Sequence, residues 1–293
     1  MKTIGNRIHL LKEALNKLPN LHTIEVQPLA MARIMLNPQE DGPRIPGSTT
    51  TLFSAVLNAI ALSCVMLKAL IMIKNGVGAP EYAFDLPATH MKRLASLEIV
   101  ELHCTRQDDD DPSSRGMLSN FLGSLPALKK LHVGSDSKRL ILDDLTRLTH
   151  PNTSPEEVHL NGIYLNQADL LAAHADTLQS LTLSNCNLAG ADNQWRTIFL
   201  HFATFPSLRS VDFNQLAQND MRIHFPSTAA VDEFEIHPSD LDALQYSGRV
   251  GNPGAWVYLR ITSRYRFAAT ENEHVPGRLR ELAEDVRVMD EAR

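Results

Sequence analysis

Seven apolar triplets with a common spacing recur along the chain and dominate its hydrophobic pattern. In each triplet, two further apolar residues follow the first one at positions +3 and +5. The last two positions alternate with other residues, which predicts a short strand with one face in the core. From the second triplet onward, the first residues lie 30, 31, 27, 23 and 30 positions apart, after an initial gap of 46. The triplets are Leu21, Ile24, Val26; Leu67, Leu70, Met72; Leu97, Val100, Leu102; Leu128, Leu131, Val133; Pro155, Val158, Leu160; Leu178, Leu181, Leu183; and Leu208, Val211, Phe213.

Segments with helical spacing lie between these predicted strands. Three of them end in LPNL, LPAL or FPSL, where the proline ends the helix and delivers an extended chain to the strand. The apolar positions of the helical segments are Ile8, Leu11, Leu15, Leu18; Leu52, Val56, Ala59, Ile60; Met117, Phe121, Leu122, Leu125; Leu142, Leu145, Leu148; Leu170, Leu171, Ala175; and Trp195, Ile198, Phe199, Phe202.

A unit of this length with one strand and one helix is typical of leucine-rich repeats. Residues 178–188, LQSLTLSNCNL, match the consensus LxxLxLxxN/CxL, and Cys186 stands where Asn or Cys bonds the backbone of the turn. Residues 67–77 nearly repeat the match, with Asn75 at the equivalent place. We therefore predict an α/β fold, an irregular leucine-rich-repeat solenoid of about seven units over residues 1–216. Its short parallel strands would line the concave face and its helices the convex face.

Two polar segments and the C-terminal region depart from the repeat pattern. Residues 37–51, rich in Pro and Gly, predict an inserted loop that explains the long first gap. The run Asp108, Asp109, Asp110 and Asp111 predicts a solvated loop, with partner contact or calcium binding as the alternative. Residues 217–293 predict a capping region with a strand over 256–267 and a charged helix over 276–291. The apolar stripe of that helix is Leu279, Leu282, Val286 and Met289.

The composition is that of a chain that folds, with 43% hydrophobic and 21% charged residues. A formal charge of −6 gives no basic footprint, so we expect no nucleic-acid partner. The three cysteines, Cys64, Cys104 and Cys186, lack metal or disulfide spacing and favour a reducing compartment. The charged N-terminal segment does not read as a secretory signal. We expect a cytoplasmic or nuclear location.

One apolar segment, residues 52–73, is almost long enough to cross a bilayer. Lys68 lies inside it, and Asn58 and Ser63 interrupt it. Because the triplet starting at Leu67 already explains its second half as a strand, we expect a buried helix followed by that strand. A membrane-associated protein remains the alternative interpretation of this segment.

No catalytic motif is present despite twelve histidines. The sequence has no HExxH, GxSxG, phosphate-binding loop or dinucleotide fingerprint, and a strand ladder lacks a preformed cleft. We therefore expect neither an enzyme nor a bound metal or cofactor, with an enzyme of unknown class as the alternative. His103 and Cys104 are adjacent on a predicted strand, so their side chains would point to opposite faces.

The polar positions between the triplet residues form two predicted columns on the concave face. His132 and His159 would lie one strand spacing apart, about 5 Å. A partner could contact this face, or its residues could be ordinary solvated strand positions, which every strand ladder has. The candidate partner-binding residues are Glu101, His103, His132, His159, Asn161, Thr182 and Asp212.

The repeat region resembles that of fungal F-box-like leucine-rich-repeat proteins. The resemblance is carried by PEEVHLNGIYL, by DLLAAHADTLQSLTLSNCNL and by the segment from Trp195 to FPSL. It implies a substrate-receptor-like role in which the repeats hold a protein partner while a separate F-box recruits a cullin-ligase adaptor. The N-terminal IHLLKEALNKLPNLHTIEV already reads as a repeat, so no F-box is found. Either the chain is a relative of these proteins without the box, or the printed sequence starts inside a longer gene product. We expect a protein–protein interaction module that binds through the concave face.

Overall fold

A computed structural model describes most of the repeat region and parts of the C-terminal region. Asn75, the run of four Asp residues and the predicted helix at 142–148 lie outside the described residues. The same holds for residues 37–47, for 256–261, and for Val286 and Met289. The described residues are 2–26, 48–72, 79–80, 84, 86–105, 117–135, 140–141, 153–165, 171–188, 194–219, 221–224, 230–233, 262–268, 275–285 and 287–288.

The fold is α/β, and its main element is a mostly parallel sheet. Among the described residues, ten strands form this sheet, and seven of them lie parallel in chain order. The second and third residues of each predicted triplet fall on one of these strands, and the first residue lies just before it, which confirms the prediction of the strands. They are β1 (Thr23–Val26), β2 (Ala69–Met72), β4 (Ile99–Thr105), β5 (Lys130–Ser135), β7 (Glu157–Asn161), β9 (Ser180–Ser184) and β11 (Ser210–Asn214).

Three further strands complete the main sheet. β3 (Ala79–Pro80) pairs in parallel with the end of β4. β15 (Thr262–Ala268) pairs antiparallel with β11, and β14 (Ala230–Glu233) pairs antiparallel with β15. Of the strand predicted over 256–267, residues 262–267 are described, and they lie in β15. This C-terminal strand extends the same sheet as the repeat strands.

The register of the sheet explains why the apolar spacing recurs. The middle triplet residues are aligned across all seven parallel strands, from Ile24 and Leu70 to Leu181 and Val211. In β2 to β11, the second and third triplet residues are at most 4% exposed. Each such buried aliphatic side chain stabilises the fold by about 1.5–3 kcal/mol relative to its exposed state. The triplets are thus the core of the molecule.

A second, smaller sheet lies beyond the ends of the main strands, and the apolar pattern did not predict it. Within the described residues its strands are β6 (Leu140–Ile141), β8 (Ile163–Leu165), β10 (Asn187–Leu188), β12 (Ala217–Gln218), β13 (Met221–His224) and β16 (Arg287–Val288). Their order in the sheet is β16-β13-β12-β10-β8-β6. The strands β6, β8, β10 and β12 are parallel, and β13 and β16 join the sheet antiparallel.

A left-handed residue links the two sheets in three successive units. Gly162, Asn185 and Gln215 directly follow β7, β9 and β11, and all have positive φ. Glycine adopts this conformation without steric cost, and Asn tolerates it better than most other residues. At Gly162 a Cβ atom would also clash with the backbone carbonyl oxygen of Ser135. The turn therefore requires glycine at that one position.

Helices cover the face of the main sheet that carries the buried triplet residues. Most of these helices follow the predicted apolar periods. The described part of the chain has six: α1 (Lys2–Asn16), α2 (Ser48–Leu62), α3 (Ala88–Arg93), α4 (Met117–Gly123), α5 (Gln194–Phe202) and α6 (Val275–Asp285). Helix α3 was not predicted because none of its residues is buried, so it has no apolar period to find.

Three predicted boundaries were wrong. The segment at 170–175 is a single 3-10 turn, Ala172–His174, because Leu171 before it is left-handed (φ 63°) and cannot be part of an α-helix. Helix α2 begins at Ser48, inside the loop predicted over 37–51, since Ser and Thr are favoured at helix starts. Helix α6 ends at Asp285, short of residue 291, because the chain that follows pairs as β16 with β13.

Helix α5 ties both sheets and the C-terminal helix into one core. The Trp195 indole Nε1 donates a 2.7 Å hydrogen bond to the carbonyl oxygen of Ala217 in β12. Phe199 stacks on Phe213 of β11, with ring centroids 5.0 Å apart. Helix α6 packs against α5 and buries Leu279 and Leu282, two members of its predicted apolar stripe. Deletion of any of these buried aromatic rings would cost about 3–5 kcal/mol.

Candidate binding face of the parallel sheet

Five of the predicted partner-binding residues lie in one row across five adjacent parallel strands. The register aligns Glu101 of β4, His132 of β5, His159 of β7, Thr182 of β9 and Asp212 of β11. We refer to these five residues as the polar row. Each is partly exposed, while its neighbours on both sides along the strand are buried. Alternation along a strand explains this, because successive side chains point to opposite faces.

His132 is held between two carboxylates of neighbouring strands. Its Nε2 lies 3.0 Å from Oε1 of Glu157, and its Nδ1 lies 3.4 Å from Oε1 of Glu101. The Nε2 contact has hydrogen-bond length, and the Nδ1 contact is a longer approach to the second carboxylate. Lys130 contacts the other oxygen of Glu157 at 2.8 Å. This hydrogen bond from Lys130 is the largest cause that lowers the pKa of Glu157, so that carboxylate is ionised.

His159 lies beside His132 and is kept neutral by its surroundings. The two rings meet edge to face with centroids 5.2 Å apart. Burial is the main cause that lowers the pKa of His159, and the positive charge of His132 lowers it further. Asp212, Glu157 and Glu101 act in the opposite direction. The row therefore combines a neutral ring with a ring that bridges two acids.

The other two predicted contact residues belong to the next row along the strands. There the register aligns His103, Gly134, Asn161, Ser184 and Asn214. His103 is only 4% exposed, so it offers little surface to a partner. A Cβ atom at Gly134 would lie 3.2 Å from Nδ1 of His103, so the glycine leaves room for this ring. Cys104, next to it, is also buried.

Asn161 and Asn185 form a hydrogen-bonded polar edge at the ends of β7 and β9. The amide Nδ2 of Asn185 donates to Oδ1 of Asn161 at 2.9 Å. At the opposite ends of the strands, the Ser210 hydroxyl donates to Oγ of Ser180 at 2.8 Å. Such cross-strand pairs contribute roughly 0.2–1 kcal/mol each. They also fix the polar groups that border the row.

A ladder of alternating charges at the start of the strands was missed in the sequence. Lys68 and Lys129 lie 3.3 Å and 2.9 Å from the two carboxylate oxygens of Glu98. The hydrogen bond from Lys129 is the largest cause that lowers the pKa of Glu98. The sequence did contain a signal for this ladder. In four successive units, the residue that directly follows the first triplet residue alternates in charge, as Lys68, Glu98, Lys129 and Glu156. The two lysines are exposed and Glu98 is partly exposed, so these ion pairs are screened by salt.

A shallow groove of about 390 Å³ continues from this ladder along the same edge of the sheet. Its polar lining comes from the turns that precede successive strands. The lining includes Pro126, Lys129, Glu156, Asp176, Gln179 and Ser207.

Cys186 occupies the predicted turn position and bonds the backbone. Its Sγ lies 3.5 Å from the carbonyl oxygen of Leu160 and 3.4 Å from that of Ser184. Burial raises the pKa of this thiol to about 12. The sulfur is therefore a protonated donor, and it joins the end of β7 to the end of β9. The equivalent residue Asn75 lies outside the described residues.

The described part of the chain offers neither a cluster of metal-ligating side chains nor a membrane-spanning helix. The described residues contain no group of three or more His, Cys, Asp and Glu that could hold a metal ion. None of the helices described above combines the length and the apolar character needed to cross a bilayer. Within residues 52–72, helix α2 is followed by strand β2, as the apolar pattern predicted.

Comparison with known proteins assigns no family to this chain. No protein-family model matches it, and no curated protein matches it. The function is therefore inferred from the geometry of the polar row and its borders.

Proposed function

We propose that this protein is a leucine-rich-repeat solenoid that binds another protein through the exposed face of its parallel sheet. The observation that carries the proposal is the polar row from Glu101 to Asp212. Five partly exposed side chains of mixed chemistry lie in register on adjacent strands. A row of this kind offers a partner a broad surface with acids, imidazoles and a hydroxyl at fixed spacing.

The regularity of the units supports the solenoid. In three successive units, a main strand is followed by a left-handed residue and then by a strand of the second sheet. The carbonyl oxygen just before each of six strands accepts two backbone N–H groups of the next unit, as that of Lys129 does from Glu156 and Glu157. Stacking of identical supersecondary units, each in contact with its neighbours, is how repeat proteins grow.

The chemistry of the face favours binding over catalysis. The partly exposed groups lie along an open row, whereas an active site gathers its groups in a cleft that excludes water. The cysteines at this end of the strands do not supply a nucleophile. Cys104 and Cys186 are buried, and burial raises the pKa of Cys186, so its reactive thiolate form is disfavoured.

A narrower form of the proposal is a substrate receptor related to F-box proteins. In that role the polar row would hold the substrate, and a cullin-ligase adaptor would be recruited through an F-box that lies outside the printed sequence. Its support is the similarity of the repeats in residues 152–216 to those of such receptors. Recovery of the adaptor with the endogenous protein would favour this form, and stable partners without the adaptor would favour a binding scaffold.

Affinity purification with a face variant and a matched control tests the proposal. The face variant combines Glu101→Ala, Thr182→Ala and Asp212→Ala, all at partly exposed positions. The control combines Arg196→Ala and Thr197→Ala at exposed positions of α5. We expect partners that copurify with the wild type and the control to be lost from the folded face variant. Partners retained by the face variant and lost from the control would contradict the proposal.

A further inference from the structure

The dipeptide Asn–Gly occurs twice in the chain, and one of the two pairs lies in the turn that follows β7. The pairs are Asn75–Gly76 and Asn161–Gly162. Asparagine is a thermally labile residue, and a glycine after it leaves the backbone nitrogen unshielded by a side chain. That nitrogen can attack the Cγ atom of the preceding side chain. The surroundings of Asn161 therefore decide whether this attack takes place.

The reaction that follows such an attack is a deamidation, and its only co-reactant is water. The nitrogen of Gly162 loses its proton and forms a bond to Cγ of Asn161, while the bond from Cγ to Nδ2 breaks and ammonia leaves. Water then opens the cyclic imide at one of its two carbonyl carbons. The product is either aspartate or isoaspartate. In isoaspartate the main chain runs through the side-chain carbons and is longer by a methylene group.

The folded protein holds the nitrogen that would attack. The backbone N–H of Gly162 donates a 2.9 Å hydrogen bond to the carbonyl oxygen of Ser184 in β9. A nitrogen engaged in this way keeps its proton, and its N–H is directed at the neighbouring strand. Ring closure needs a deprotonated nitrogen that faces Cγ of Asn161. The hydrogen bond between the two units must therefore break before the reaction can start.

The side chain that would be attacked is held by the same neighbouring unit. The amide Nδ2 of Asn185 donates to Oδ1 of Asn161 at 2.9 Å. Asn185 directly follows β9, and its own backbone N–H donates to the carbonyl oxygen of Asn214 in β11 at 2.9 Å. The donor is thus anchored to the unit beyond. Both reacting groups of the Asn161–Gly162 pair are fixed by hydrogen bonds to the end of β9.

The turn has no room for the longer of the two products. A Cβ atom at Gly162 would clash with the carbonyl oxygen of Ser135, so the backbone is confined on that side. The next residue, Ile163, is fully buried and pairs in register with Leu140 of β6. An extra methylene group directly before Gly162 would displace both residues. Isoaspartate at position 161 should therefore destabilise the junction between the two sheets.

We propose that Asn161–Gly162 is a latent deamidation site, protected by the pairing of β7 with β9 and reactive when this pairing opens. The reaction starts from a locally open state, so its rate follows the fraction of molecules in that state. Once isoaspartate forms, the turn cannot return to its original register. The modification therefore marks, irreversibly, the molecules in which this junction has opened. The proposal does not rest on the proposed partner binding.

Peptide mass spectrometry of the full chain tests the site. Native and urea-unfolded protein are incubated at the same mildly alkaline pH, and the formation of aspartate and isoaspartate at position 161 is followed over time. Asn75–Gly76 is the internal standard in the unfolded chain, where the two pairs should react at similar rates because they are the same dipeptide. In the native protein, Asn161 is expected to react at least about tenfold more slowly than in the unfolded chain.

Two variants show whether the pairing itself gives the protection. Asn185→Gly removes the donor to Asn161 and keeps a residue that adopts positive φ freely, so native deamidation should become about two- to tenfold faster. Ser210→Ala is the matched control. It removes the hydrogen bond to Ser180 at the opposite ends of the strands, and it should leave the rate at position 161 unchanged.

Several results would overturn the proposal. One is an equal rate at position 161 in native and unfolded protein, and another is an unfolded chain in which Asn161 does not react. An unchanged native rate in Asn185→Gly, or an equal increase in Ser210→Ala, would also contradict it. Urea unfolding of the refolded isoaspartate form, compared with the variant Asn161→Asp, tests the confined turn. The isoaspartate form should be the less stable of the two, and equal stabilities would contradict the proposed irreversibility.

Discussion

His132 and His159 contact each other edge to face across β5 and β7, with ring centroids 5.2 Å apart. The sequence places them at equivalent positions of successive units, and the parallel register brings them together. His132 also bridges Glu101 and Glu157. This pair is the centre of the polar row.

Two substitutions by uncharged residues should shift the pKa of His159 in opposite directions. His132→Gln removes a positive charge that lowers the pKa of His159, so that pKa should rise. It should stay below its ordinary value of 6.5, because burial is the larger cause of the shift. Asp212→Asn removes a charge that favours the protonated ring, so the pKa should fall further. NMR titration of the imidazole Cε1–H resonance measures both shifts, and two shifts of one sign would contradict this electrostatic arrangement.

The lowered pKa of His159 predicts how this residue makes stability depend on pH. Its pKa in the folded protein is lowered below 6.5, so the unfolded chain binds protons more readily. The contribution of His159 to stability is therefore present above about pH 6.5 and is lost as the pH falls through the lowered pKa. Urea unfolding of the wild type and of His159→Gln at several pH values measures this. The variant should lose less stability on acidification, and an equal loss in both proteins would contradict the prediction.

Gly162→Ala should destabilise the protein by at least about 2 kcal/mol. The residue has φ 69°, and its new Cβ atom would clash with the carbonyl oxygen of Ser135. Gly277→Ala is the matched control, because Gly277 lies in α6 and, apart from its chain neighbours and the backbone of its own helix, no atom lies within 4 Å of its Cβ position. That variant should be neutral or more stable by about 0.5–1 kcal/mol, since alanine is the better helix former. Denaturant unfolding compares them, and equal stabilities would contradict the described turn.

The three thiols should differ sharply in reactivity. Cys64 is exposed, whereas Cys104 and Cys186 are buried. Burial raises the pKa of Cys186 to about 12, which suppresses its thiolate. A colorimetric thiol reagent should therefore modify one cysteine rapidly in the native protein and all three in denaturant. Rapid native modification of Cys186, identified by peptide mass mapping, would contradict its burial.

The apolar pattern of the sequence predicted the elements that form the core. Leu181 and Leu183 alternate with polar residues, and this period fixed both the strand and the face that it buries. The second sheet has strands as short as Asn187–Leu188, and two residues are too few to show a period. The parallel order of the strands followed from the repeat, whereas the antiparallel addition of β15 depends on pairing far along the chain.

The polar row could be predicted because strand alternation and register are regular, but its internal contacts could not. The burial of His103 depends on its neighbours in space, including the room left by Gly134 in the next strand. The bridge from His132 to Glu157 joins different columns, since Glu157 lies two positions before His159 in β7. Such contacts depend on the directions of side chains, which a sequence pattern does not contain.

Photo-cross-linking from the polar row tests the central claim most directly. A photoreactive phenylalanine derivative would be incorporated at Thr182, in the row, and in a second protein at Thr197, exposed on α5. If the polar row binds the partner, irradiation in cells should join position 182 to a protein that also copurifies with the wild type, and position 197 should give no such adduct. Adducts with that partner from position 197 and none from position 182 would contradict the account.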